Sequence, residues 1–102
     1  MTLLSLAEIT AETFAGRTGQ DFEARWGEDG RYPLRLDSVK QNARALPAGF
    51  RAPFSLIFTG PGPAWLAQAV YHIHHAELGE MEVLVVPVGE QGDGFLYQVI
   101  FS

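Results

Sequence analysis

Two histidines separated by one residue, His72 and His74, are the arrangement in this chain with the character of metal ligands. On an extended strand alternate side chains project to the same side, roughly 6–7 Å apart, a separation that two imidazoles can close upon one ion. Glu80 and Glu82 share that spacing and could complete a set of two histidines and a carboxylate. The same four residues have a plainer explanation. If a hairpin sets His72 beside Glu82 and His74 beside Glu80, they form a solvated polar face that needs no metal.

No other stretch offers chemistry. Gly60-Pro61-Gly62-Pro63 and Gly89-Glu90-Gln91-Gly92-Asp93-Gly94 lack the Lys, the Ser or Thr and the following helix of a phosphate cradle, and read as turns. Ser5, Ser38, Ser55 and Ser102 have no nucleophile-elbow context, and nothing in their spacing selects Asp37 and Glu23 from other surface acids. The expectation is a protein with no catalytic residues, no resident metal and no cofactor.

The histidines belong to a hairpin that the sequence writes out clearly, AVYHIHH, AELGE and MEVLVVPVG, from Ala69 to Val88 and just beyond. Period-2 alternation puts Tyr71 and Ile73 on one side and His72 and His74 on the other. The register that matches apolar with apolar sets Ile73 opposite Met81 and Tyr71 opposite Val83. A slip of one residue would turn that whole apolar row toward water. Gly79 is the position where the loop can take a positive φ. A hairpin alone has nothing to bury against, so other strands must supply the opposite wall.

Those strands are legible on both sides. Phe22, Ala24 and Trp26 alternate with Glu23 and Arg25; Gly27 to Gly30 makes a turn; Leu34 to Val39 forms the next strand. Phe54 to Thr59 is the third, and Phe95 to Phe101 closes the chain with Phe95, Tyr97, Val99 and Phe101 on one side. At the front, Leu3, Leu4, Leu6, Ile9 and Phe14 fit one or two short helices, with Thr10-Ala11-Glu12-Thr13 resembling a capping box and an end near Gly16 or Gly19. Residues 41–53 have no clean period and read as a long surface excursion.

Six strands with short turns predict an antiparallel meander, curled into a small and nearly closed barrel or a sandwich. The domain spans residues 1–102, with residues 1–20 as a helical cover and 21–102 as strands. Apolar residues also occupy the second side of the strands: Ile57, Leu84, Val86, Leu96 and Ile100 point away from the Phe and Tyr row. Something must cover them, either the N-terminal Leu and Ile residues or another subunit. With Trp65, an aromatic residue at the edge of the connector, they are the interface candidates. Pro87 cannot donate to a ladder and belongs at an edge or a bulge.

Composition bounds the rest. A chain of 102 residues with 47% hydrophobic and 12% aromatic residues is long enough for one core and argues against disorder. It has no cysteine, so neither disulfides nor thiolate metal sites. Seven Lys and Arg against twelve Asp and Glu give a formal charge of -5, which disfavours a nucleic-acid partner. Arg25, Arg31, Arg35, Lys40, Arg44 and Arg51 crowd the first half but interleave with Glu23, Glu28 and Asp37. Neither a signal peptide nor an apolar run long enough to cross a membrane is visible, so a cytoplasmic protein is expected, with export by another route left open.

The order of short blocks resembles a known family. Phe54-Ser55-Leu56-Ile57-Phe58 with Gly60-Pro61, Tyr71-His72-Ile73-His74 with Leu78-Gly79, Leu84 to Gly89, and Tyr97-Gln98-Val99-Ile100-Phe101 are similar to an uncharacterised family of bacterial proteins of about this length, known as a domain of unknown function. The likeness spans most of the second half, with a weaker echo from Ile9 to Phe22. It implies an association with phage tail-collar proteins, including those called microcystin-dependent, and carries no catalytic residues. The expected function is a non-enzymatic protein-interaction or assembly module, accessory to a phage-tail-like collar or fibre protein, partnered by such a protein or by further copies of itself. The alternative is a small-ligand or metal-binding barrel that uses the His72 and His74 face.

Overall fold

The computed structural model describes residues 9–41 and 53–101. Leu3, Leu4, Ser5, Leu6, Arg44, Arg51, Ser102 and the body of the 41–53 excursion lie outside the described residues. Within them one helix, α1 (Ala11–Ala15), precedes six strands: β1 (Asp21–Trp26), β2 (Gly30–Gln41), β3 (Phe54–Pro61), β4 (Ala69–His75), β5 (Gly79–Gln91) and β6 (Gly94–Phe101). The strands form a closed barrel in the order β1-β2-β3-β6-β5-β4, with every neighbouring pair antiparallel.

The central hairpin takes the register that its pattern demands. Tyr71 pairs with Val83, His72 with Glu82, Ile73 with Met81 and His74 with Glu80. Gly79 begins β5 at a φ of 88°, a left-handed conformation that favours glycine.

Strand order departs from a single meander at one point. β1-β2-β3 and β4-β5-β6 are each consecutive antiparallel runs, but β3 pairs with β6 rather than β4, and β4 closes on β1. The Gly-Pro stretch that ends β3 suits this break, because prolines withhold the N–H groups that a tight hairpin would use, though it does not choose the new neighbour. The chain instead crosses one end of the barrel over residues 62–68. Leu66 is buried there at 4% exposure. Its N–H donates to the Tyr97 hydroxyl, the Tyr32 hydroxyl donates to the Pro61 carbonyl, and the Tyr71 hydroxyl donates to the Ala67 carbonyl. Gly60 leaves room for this arrangement, since a Cβ there would run into the Tyr32 ring.

The opposite end is closed by α1. Phe14 is fully buried and meets Phe22, Phe54 and Phe101 at ring-centroid distances of 6.5, 6.2 and 6.1 Å. The helix starts with the Thr10 N–H donating to the Thr13 hydroxyl and stops at Gly16. In the described residues, then, the N-terminal apolar groups plug the barrel end instead of covering its outer side, which corrects the expectation for Ile9 and Phe14. They go inward because a six-stranded barrel is open at its mouth, where an aromatic ring can join the buried Phe row.

Between the two plugs the interior is filled by Leu36, Leu56, Phe58, Val85, Tyr97 and Val99, each at 1% exposure or less. β2 and β5 are long enough to serve two neighbours each. β2 gives residues 30–35 to β1 and 35–41 to β3; β5 gives 79–85 to β4 and 86–91 to β6. Register shifts mark the changeover, between Leu36 and Ser38 and between Pro87 and Gly89. Bulges bend a strand and sharpen its twist, so the barrel has two four-stranded walls: β2-β1-β4-β5 and β2-β3-β6-β5. Pro87 sits at one of these bulges, as its missing N–H requires.

Candidate interaction surface

The outward sides of the two walls differ in chemistry. On the β2-β1-β4-β5 wall the strands carry an ionic network. Arg25 donates from Nε to Glu23 Oε1 at 2.6 Å and from Nη1 to Glu80 Oε1 at 3.2 Å, reaching across β4 to do so. Arg31 also donates to Glu23, at 3.1 Å, and Arg35 lies 3.6 Å from Asp21. The hydrogen bond from Arg25 holds the Glu23 carboxyl below its ordinary range, against a smaller upward push from desolvation.

His72 and His74 stand in this network. His72 Nδ1 is 3.4 Å from Glu80 Oε2 and its Nε2 is 3.1 Å from Glu82 Oε2. His74 Nδ1 has no hydrogen-bond partner and lies 4.0 Å from Glu80 Oε1. The structure thus places all four candidate ligands on one wall, with the Arg25 guanidinium already hydrogen-bonded to the Glu80 carboxylate. Among the described residues no three His, Asp or Glu side chains converge as a metal-ligand set. Arg25, Trp26, Gly27, His72 and Glu80 line a groove of about 290 Å³ over the same wall.

The β2-β3-β6-β5 wall carries its charges on its β2 edge, where Arg35 pairs with Thr59, Lys40 pairs with Ser55 and Asp37 is exposed at the bulge. Outward positions on β3 are Ser55, Ile57 and Thr59, and on β6 they are Leu96, Gln98 and Ile100, all without charge. On β5 they continue as Val86 and Val88, while Glu90 alternates to the other side in register with Phe95. One cross-strand row runs Ile57, Gln98, Val86. Ile100 is 65% exposed, Val88 49% and Leu84 48%; Leu84 in turn pairs with Val70, 56% exposed, on β4. Ile57, Val86 and Leu96 are half-buried. Charge depletion over an apolar centre, rather than apolar area alone, is what distinguishes the core of a protein interface from ordinary surface.

Of the sequence-derived interface candidates, Ile57, Val86, Leu96 and Ile100 are gathered here, Leu84 lies opposite Val70 where β5 pairs with β4, and Trp65 stands apart. Trp65 is 59% exposed on the crossover at the barrel end. Trp26, 43% exposed, packs edge-on against Tyr71.

Sequence reasoning passed over His75. It is 5% exposed, packed 4.6 Å from the Phe22 ring, with Nε2 2.7 Å from Gln20 Oε1. Its Nδ1 accepts from the Glu77 and Leu78 N–H groups, both at 3.1 Å, so the proton resides on Nε2 and is donated to Gln20. Burial, reinforced by the nearby Arg17 cation, pushes its pKa below the ordinary imidazole value. The signal was present: His75 continues the inward alternation of Tyr71 and Ile73.

Among the described residues, a closed antiparallel barrel with a filled interior, an ionic wall and a second wall whose central strands β3 and β6 are uncharged defines a small β-barrel. The chain belongs to the family described as a domain of unknown function, DUF6916, whose model matches residues 9–101. Among curated proteins and among solved structures there is no match. Among the described residues no helix is long and apolar enough to cross a membrane.

Proposed function

We propose that this protein is a non-enzymatic interaction module, which joins a protein assembly through the uncharged β3 and β6 strands of its second wall. The observation that carries the reading is the Ile57, Gln98, Val86 row with Ile100 beside it, apolar and uncharged on a chain of net charge -5. Surface of that kind is covered by protein in working assemblies. The resemblance to neighbours of tail-collar proteins gives the assembly its class: an accessory of a phage-tail-like collar or fibre.

Sedimentation of the purified chain, alone and mixed with a tail-collar-domain protein, tests the reading. A complex of either kind that Ile100→Asp dissolves supports it. A chain that stays monomeric under both conditions overturns it.

A further inference from the structure

We infer that the β4–β5 turn is a proton-operated latch on α1: a neutral His75 ring holds the plugged end of the barrel shut, and protonation of that ring frees the helix while the crossover end stays closed. The device does not depend on which partner the second wall meets.

His75 does the work that an Asn or Asp side chain does in many turns. Its Nδ1 accepts the N–H groups of the residues two and three further on, Glu77 and Leu78, both at 3.1 Å. Unlike an amide oxygen, this acceptor disappears when a proton arrives, because an imidazolium carries N–H on both nitrogens. Two backbone donors would then face a third around a ring that is only 5% exposed. Buried donors without an acceptor are costly, so the turn opens to let water reach them.

Opening the turn reaches α1 through one residue. Glu77, whose N–H rests on the ring, also accepts from Arg17 Nη1 at 3.1 Å. Arg17 donates from Nε to the Thr13 carbonyl and from its backbone N–H to the Phe14 carbonyl, at 3.2 and 2.9 Å. The turn thus clamps the C-terminal end of the helix that carries the Phe14 plug. A helix of five residues does not hold its shape without such contacts. The crossover end shares none of these groups. Its fastenings run between tyrosine hydroxyls and backbone groups of Leu66 and Ala67, bonds that take up no proton in mild acid.

The charged and titratable groups that bear on the ring are Arg17 from the segment after α1, Glu77 from the turn and His74 from its own strand; β1 meets it with the Phe22 ring, and Gln20 is uncharged. Burial first, and the Arg17 cation second, make the folded ring a poorer base than the free one, so the open form takes the proton more readily. The latch is therefore closed above about pH 6.5 and opens as pH falls from there.

The test is amide hydrogen exchange on the full chain at pH 7.5 and pH 5, in water and in low urea, read as protection factors so that the intrinsic effect of pH on exchange cancels. In the wild type the Leu78 and Arg17 amides are expected to exchange through a local opening, nearly indifferent to low urea, and to lose about tenfold in protection at pH 5. The Leu66 and Val99 amides are expected to stay better protected at both pH values and to follow urea as global unfolding does. His75→Asn, which keeps an acceptor that cannot titrate, is expected to remove the acid loss at Leu78 and Arg17, whereas a His72→Ala, His74→Ala variant responds as the wild type. Glu77→Gln, which leaves the ring in place and weakens only the clamp, is expected to keep the acid loss at Leu78 and abolish it at Arg17. Leu78 and Arg17 amides that share the urea dependence of Val99, an acid loss that survives His75→Asn, or an Arg17 amide that still follows Leu78 in Glu77→Gln each overturn the inference.

Discussion

His75 and Gln20, separated by 55 residues in the chain, meet at 2.7 Å between Nε2 and Oε1. The contact ties the β4–β5 turn to the segment entering β1, and it needs a neutral ring, because Nδ1 is already accepting two backbone N–H groups. The folded pKa of His75 lies below its ordinary 6.5, through burial first and the Arg17 charge second. The unfolded chain therefore binds the proton more readily. The stabilisation is complete above about pH 6.5 and drains away as pH falls from there through the folded value. Urea midpoints measured between pH 8 and pH 5 should fall on the acid side in the wild type. His75→Ala should flatten that slope while lowering stability by about 1–3 kcal/mol at pH 8; an unchanged acid slope would remove His75 as its source.

Tyr97→Phe deletes a hydroxyl that accepts the buried Leu66 N–H and donates to the Tyr32 hydroxyl. The orphaned N–H should cost about 1–3 kcal/mol. Hydrogen exchange should locate the loss, with the Leu66 amide losing protection ahead of the strand amides.

Phe14→Ala empties the aromatic plug between Phe22, Phe54 and Phe101. A loss of about 3–5 kcal/mol is expected, read as a drop in denaturation midpoint. A loss below 1 kcal/mol would mean that the plug is not part of the cooperative core.

Arg25→Ala breaks the bridge between Glu23 and Glu80, yet both partners keep access to water. The change in midpoint should be small and should vanish in molar salt, where screening acts within about 3 Å. The lowered pKa of Glu23 gives the network an acid limit: its contribution is present above the ordinary carboxyl range and is lost as pH falls through the folded value.

Metal analysis of protein purified without an affinity tag should find no stoichiometric ion, and chelator should leave the denaturation midpoint unmoved. The reason is Arg25, whose guanidinium lies 3.2 Å from Glu80 Oε1 and already engages that carboxylate. A midpoint that falls with chelator in the wild type but not in a His72→Ala, His74→Ala variant would reverse this conclusion.

The hairpin register was legible because Tyr71, Ile73, Met81, Val83 and Val85 alternate so strictly that a slip would expose them all. The outward apolar residues followed from the same alternation. Strand order was not legible. The choice of β6 over β4 as the neighbour of β3 goes with where residues 62–68 cross the barrel, and with three tyrosine hydroxyls that meet Ala64, Leu66 and Ala67 from β2, β6 and β4, contacts that no local pattern encodes. Trp65 was grouped with the interface on residue type alone, and its position on the crossover separates it. Phe14 read as cover because periodicity marks an apolar residue without saying which surface it meets.

The six strands close upon themselves, so each has a backbone partner on both sides. Among the described strands the shortest seam is between β1 and β4, three pairs long, so a peptide finds little open backbone on which to lay itself down as an added strand. The outward side chains of this cylinder can therefore be exchanged by surface substitution while its hydrogen-bonded frame stays in place.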